Sequence, residues 1–297
     1  MLPDSHPFPA LPVHAILIFS KTLLNGSDIV ILDSFDRQGE PVISPAAFFG
    51  DQRRICDTAI ATFSREIYAS VLDAFPSEQI GELIACNRVR PIHLITSGGM
   101  QIAFYLSEIG ATLSATDLIE VNWKTGASHF IAFGSAGLLN REAAEGKYVI
   151  PTEAYRDEGM SYHYAPPADY IAIRNAAFLE DLFRSLRLPF VSGRVWTTDA
   201  LYRETREMVR RRKSEGCLAV EMELAGMQAV CDFHGFQLYH FVQTGDVVDQ
   251  GRLYAGRSAG GQPRNGQISY CAEDRRKDSP AGHRPDVRSR RIRIVQK

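Results

Sequence analysis

The feature that most constrains this chain is a regular exchange of two hydrophobic periods. Short apolar runs (PIHLIT, QIAFYL, HFIAFGSAG, KYVIPTEAY, FVSGRVWTTDA, CLAVE and FQLYHFVQTGDVVD) alternate with longer stretches whose apolar residues fall at helical spacing. Parallel strands need a long crossover between them, and a helix is the usual one. The alternation therefore predicts an α/β fold around a central, largely parallel sheet. In detail, Ile60, Phe63, Ile67, Val71 and Phe75 predict one helix across 57–75. ATLSATDLIEVNWKTG predicts a helix ending at Gly126, and Ser97-Gly98-Gly99 predicts a hairpin turn between PIHLIT and QIAFYL. ADYIAIRNAAFLEDLFRSLRLP reads as a loop and then a helix stopped by Pro189, and RETREMVRRRKSEG as a charged helix. CLAVEMELAGMQAVCDFHG begins as a strand and becomes a helix, and HFIAFGSAG reads as a buried strand running into a tight glycine turn.

With 297 residues, 45% of them hydrophobic, the chain is long enough for one large domain. A formal net charge of −2 gives no reason to expect a nucleic-acid partner. No apolar run reaches the ~18 residues of a membrane span. VHAILIF, near the start, is too short and lacks the flanks of a secretory signal. The five cysteines, Cys56, Cys86, Cys217, Cys231 and Cys271, show no CxxC spacing, so they read as reduced thiols of a cytoplasmic protein. Residues 1–28 read as a poorly ordered lead, 29–249 as one domain, and 250–297 as a basic tail of different character.

Four stretches carry candidate chemistry. FGSAG, at 133–137, flanks Ser135 with glycines after a strand, where a backbone can hold an anion or simply turn. AVEMELAG sets Glu221 and Glu223 around Met222 in apolar surroundings. Such carboxylates either bind something or begin a solvated helix. TGDVVD places Asp246 at the end of an apolar strand, as a general acid or as a helix cap. RDEGMSYHY crowds Arg156, Asp157, Glu158 and His163 into a loop-like segment that either lines a pocket or is a hydrogen-bonded surface loop. His163 has no second His, Cys or carboxylate at ligand spacing, so a metal is not expected.

In this order, FGSAG, AVEME and TGDVVD resemble the nucleoside phosphorylase superfamily, and RDEGMSYHY with GRVWTTDALYRET resembles its uridine-phosphorylase-like branch. The resemblance implies a three-layer α/β/α sandwich with a mixed sheet curled into a distorted barrel. It implies cleavage of the bond between ribose and base, by phosphate in phosphorylases or by water in nucleosidases, with no cofactor beyond phosphate as co-substrate. Carried over by position, Gly134, Ser135 and Arg65 would hold phosphate. Met222 and Glu223 would bind ribose, with Glu221 beside base or sugar. Asp246 would protonate the base, and Leu201, Tyr202 and His163 would contact it. Asp246 matches purine-cleaving members, whereas the branch points to uridine. Two departures stand out. Ala132 replaces an arginine common three residues before the serine, and TFSRE replaces the early glycine-rich phosphate loop. Members of this superfamily assemble as dimers to hexamers, which implies a homo-oligomer here.

After Asp249 the resemblance implies a short loop and a final amphipathic helix, but the chain turns to dense Arg, Gly and Ser, a composition expected to be disordered. Read as it stands, the tail suits a basic arm. The genetic code offers another reading. Back-translating 252–278 with permitted codons and starting one nucleotide later allows DYTPEGLREANHEMDKYLIALKIAEKI, a Pro-Gly loop and then a helix with periodic apolar residues. The shifted triplet that begins in the codon of Glu273 can encode only Lys or Arg. A frameshift near Gln250 is the expectation that follows.

Overall fold

Strands form where β-branched and aromatic residues concentrate. In the computed structural model, residues 31–85, 88–249 and 252–254 are described, without the side chains of 32, 33, 246–249 and 252–254. The expectations for the 1–28 lead and for the tail past 254 lie outside the described residues, as do Cys86 and Cys271.

The strands are β1 (Thr58–Thr62), β2 (Ser77–Ala85), β3 (Arg88–Ser97), β4 (Met100–Leu106), β5 (His129–Leu138), β6 (Tyr148–Asp157), β7 (Tyr170–Ala172), β8 (Phe190–Thr198), β9 (Cys217–Glu221), β10 (Gln237–Asp249) and β11 (Arg252–Tyr254). The helices are α1 (Pro45–Phe49), α2 (Arg65–Ala74), α3 (Ala111–Thr125), α4 (Arg141–Ala144), α5 (Ala176–Ser185), α6 (Arg206–Ser214) and α7 (Leu224–His234), with 3-10 turns at Ile31–Ser34, Met160–His163 and Leu201–Arg203.

One sheet takes the order β11-β10-β6-β8-β9-β5-β1-β4-β3-β2, and β10 also pairs with β5. That extra pairing closes β5, β10, β6, β8 and β9 into a barrel, from which β1, β4, β3 and β2 extend as an open wing. Parallel pairs (β1–β4, β1–β5, β10–β5, β6–β8, β8–β9) mix with antiparallel ones (β10–β6, β5–β9, β2–β3, β3–β4). The sheet is thus mixed rather than largely parallel, because the hairpins between β2, β3 and β4 and the closure of the barrel both demand reversals.

Helices lie on both faces. Leu118 and Val121 of α3 with Met227 and Val230 of α7 bury Ala59, Ala61, Phe130, Ala132 and Leu238 on one face. On the other, Tyr68 of α2 stacks on Phe104 at 5.3 Å, and Phe183 of α5 meets Phe241 edge-on at 5.1 Å. The fold is the three-layer sandwich with a barrel-like sheet that the sequence resemblance implies.

Two further expectations change. The helix over 57–75 is a strand followed by a helix. TAIAT alternates half-buried and buried positions as the central strand β1, and the Ser64 side chain then accepts from Ile67 N at 3.3 Å to start α2. FGSAG is also not a turn. β5 runs straight through it, because β10 pairs along one edge and β9 along the other. Its Gly134 serves close packing instead, since a Cβ there would lie 3.0 Å from the Phe63 ring. The Gly98-Gly99 hairpin is as expected, with both residues at positive φ and Ser97 paired to Met100. β2 is an edge strand that the alternation does not reveal.

Candidate active site

The sequence motifs become neighbours through strand register. FGSAG is the middle strand: Gln243 and Thr244 of β10 pair with Ser135 and Ala136, and Val220 of β9 pairs with Gly137. In β10 the register shifts between Thr244 and Val247, so the backbone of Asp246 lies in a bulge beside the end of β5. Across the barrel wall, Arg156 pairs with Thr197 and Thr197 with Glu221. One row therefore joins RDEG, WTTD, VEME and FGSAG.

Glu221 ends β9 and caps α7. One of its oxygens accepts from the N–H groups of Glu223 and Leu224, at 2.8 and 2.7 Å, and the other from the Thr197 hydroxyl. The Thr197 oxygen in turn accepts from Ala225 N at 3.2 Å. Glu223 reaches across to α3, accepting from Gly110 N at 2.7 Å and from Met222 N at 3.3 Å. These helix starts sit close because Gly226 lacks a side chain: a Cβ there would be 2.9 Å from Ala111 Cβ and 3.3 Å from Met160 Cβ. Glu221 and Glu223 are 5% and 8% exposed. Burial holds both carboxyls above the ordinary range, and the Glu221 charge raises Glu223 further. Glu221 begins α7, but as a buried group and not the solvated helix start that AVEME allowed. It accepts from three donors and Glu223 from two. Met222 between them is half-buried.

Glu158, Asp157 and Arg156 organise the neighbouring segment. The buried Ser161 hydroxyl donates to Glu158 and accepts from Arg156 Nε at 2.8 Å. Arg156 also donates to the carbonyls of Pro166 and Ala165 and lies 4.1 Å over the Tyr162 ring. Asp157 accepts from Trp196 Nε1 at 3.0 Å and from Thr198 Oγ1 at 3.1 Å. Of the other expected residues, Ser135 is exposed on β5 and Arg65 is exposed at the start of α2, next to the strand pair that ends in Thr62 and Phe133. Leu201 and Tyr202 form the turn after β8, with Tyr202 84% exposed. His163 is exposed, its ring edge-on to Phe35 at 4.3 Å. The side chain of Asp246 lies outside the described residues.

Thr197, Gly110 and Trp196 escape a reading by motif, since each acts through a partner distant in sequence, whereas Ser161 lies within RDEGMSYHY and bonds to Glu158 and Arg156 nearby. Glu204, just past the Tyr202 turn, escapes it too; burial pushes its carboxyl up to about 7.

Residues 28–252 match the sequence profile of the phosphorylase superfamily. The chain belongs to that superfamily. Among curated members it resembles a guanosine phosphorylase of Halorubrum lacusprofundi, 28% identical over 186 residues, which cover 60% of this chain and 73% of that protein. It also resembles DeoD-type purine nucleoside phosphorylases of Bacillus cereus and Bacillus thuringiensis. Each is 25% identical over 132 residues, which cover 42% of this chain and 55% of the relative, so the chain spans little more than half the length of these two. Among the described residues of this superfamily member, no helix is long and apolar enough to cross a membrane.

Proposed function

We propose that this protein is a nucleoside phosphorylase that cleaves the N-glycosidic bond of a purine nucleoside with phosphate, releasing the base and ribose 1-phosphate. The observation that carries this reading is that β9, paired beside the Ser135 strand, leads directly into Met222 and Glu223, whose carboxyl has acceptor capacity left. The names of the relatives support the purine base.

Cleavage builds positive charge on the ribose and negative charge on the leaving base, as in glycoside hydrolysis. Glu223 holds the 2′- and 3′-hydroxyls with Met222 against the sugar, and Glu221 fixes the helix start that presents them. Phosphate, held by Ser135, the Gly134 backbone and Arg65, attacks the anomeric carbon as the C–N bond breaks. A neutral Asp246 donates its proton to the base, while Leu201, Tyr202 and His163 border it. The reaction needs no cofactor beyond phosphate. The domain of 29–249 works in the cytoplasm as a homo-oligomer in this reading.

The test is a panel of purine nucleosides and uridine, with and without phosphate, followed by chromatography of base and sugar. Phosphate-dependent purine release with ribose 1-phosphate is expected. Release at full rate without phosphate assigns the site to hydrolysis and defeats the proposal.

A further inference from the structure

Asp199 follows β8 and leaves the ladder with β6 through its side chain. The parallel pairing of the two strands ends with Asp157 opposite Thr198. One step further, Asp199 N donates to Asp157 O at 3.1 Å, as the next bond of a parallel ladder would. The bond after that starts at Gly159 N, and a regular ladder would send it to the main-chain carbonyl of Asp199. It goes instead to Asp199 Oδ2, at 3.1 Å. The carboxylate takes the place of a carbonyl, so the pairing gains one more bond while the backbone turns away into Leu201–Arg203.

These two bonds bracket Glu158, one on each side of it in the chain. The buried Glu158 carboxyl in turn accepts from Ser161 N at 2.9 Å and from the Ser161 hydroxyl, and so anchors the Met160–His163 turn. Thr198 secures the same join: its hydroxyl donates to Asp157 Oδ2 at 3.1 Å and accepts from Ala200 N at 3.2 Å. Burial raises the Glu158 and Glu223 carboxyls, with the Glu221 charge next for Glu223, and the Asp199 charge adds to both. Asp199 is therefore within electrostatic reach of both carboxyls. It is itself exposed, so its carboxylate steers the path of the chain and does not fill the core.

We propose that Asp199 is a positioning residue of the nucleoside site, whose bracket around Glu158 holds the Leu201–Arg203 turn against the Met160–His163 turn. This rests on the reading in which Leu201, Tyr202 and His163 border the base. Asp199 touches no reacting atom. It fixes the distance between the two turns that close on the base.

Asp199→Ala and Asp199→Asn are compared with the unmodified chain. The amide oxygen of Asn accepts the same bond without the charge. KM for every cleaved nucleoside is expected to rise roughly tenfold or more in Asp199→Ala, with kcat changed less than about threefold, and to stay within about threefold in Asp199→Asn. Exchange of the Gly159 amide hydrogen is expected to quicken in Asp199→Ala alone. If that variant is unfolded by circular dichroism, Asp199→Glu, whose carboxylate sits one methylene too far out, replaces it. An unchanged KM, whatever the exchange rate, makes the bracket structural only and overturns the proposal. Equal impairment of both variants gives the effect to the charge and overturns it too. Where the unmodified chain cleaves no nucleoside, the phosphorylase reading fails by itself, and guanosine and inosine are titrated calorimetrically onto the same proteins. Affinity lowered roughly tenfold in Asp199→Ala and kept in Asp199→Asn then supports the role of Asp199. Equal affinities, or no binding to the unmodified chain, overturn it.

Discussion

Glu223 is the residue at which local structure and proposed chemistry meet. Its carboxyl accepts from Gly110 N and Met222 N, one donor fewer than Glu221 engages. If it binds two ribose hydroxyls, Glu223→Gln exchanges one oxygen for an NH2 donor and disturbs hydrogen bonds of about 0.5–1.5 kcal/mol each. A loss of kcat/KM of roughly 10- to 100-fold is expected for every nucleoside that is cleaved. A loss confined to one base in the panel assigns Glu223 to base recognition instead. Thr197 has the complementary part, donating to Glu221 and accepting from Ala225 N. Thr197→Val strands both partners inside the protein, at about 1–3 kcal/mol for each unsatisfied group. Urea unfolding is expected to show that loss, with Thr197→Ser restoring most of it. At this scale AVEME stands out in the sequence because two acidic residues are rare among so many apolar ones. Thr197 does not, because its importance comes from a strand pairing across the barrel.

At the scale of elements, the crossing of α7 over the start of α3 determines whether Glu223 reaches Gly110. Gly226 sits at that crossing. In an isolated helix, Gly→Ala gains about 1 kcal/mol. Here the added Cβ would meet Ala111 Cβ at 2.9 Å and Ala111 O at 3.4 Å. The sign is therefore expected to reverse, with Gly226→Ala destabilising by about 1–3 kcal/mol in denaturant unfolding. If the start of α3 yields to the methyl, KM for nucleoside is expected to rise as well. An unchanged or raised unfolding midpoint refutes this account of the crossing. Periodicity shows α3 well, since Gly126 ends it at φ 85° and donates to Asn122 O at 2.7 Å. The 57–75 stretch misleads because Ile60 and Phe63 happen to extend the helical frame of Ile67 and Val71. Only the pairing of β1 between β4 and β5 decides in favour of a strand. FGSAG misleads for the same reason: its glycines look like a turn, and its two strand neighbours are invisible in a single sequence.

Over the whole molecule, the buried ionisable groups set how stability follows pH. Glu221, Glu223 and Glu158 are all raised by burial. Between the unfolded carboxyl value near ~4.3 and their folded values, the native state keeps protons that the unfolded chain has lost, so these groups lower stability as pH rises. His240 works in the opposite direction. Buried on β10, with no partner for Nδ1 among the described residues, it is depressed by burial to about 4. Between that value and ~6.5 the unfolded chain binds the extra proton, so His240 lowers stability as pH falls. The two effects oppose one another below about pH 6.5, and above it the glutamates act alone. Three carboxyls outweigh one imidazole, so stability and melting temperature are expected to fall from about pH 5 upward, each retained proton contributing at most ~1.4 kcal/mol per pH unit and His240 offsetting part of the fall below about pH 6.5. Glu223→Gln is expected to flatten the fall above pH 6.5, because the carboxyl that burial and the Glu221 charge push up to about 8 is then gone. His240→Asn removes only the opposing term, so its melting temperature is expected to decline more steeply than that of the unmodified protein below about pH 6.5. Calorimetric scans of the three proteins from pH 5 to 8 check both slopes together. A fall above pH 6.5 that survives Glu223→Gln would place the responsible proton elsewhere in the barrel.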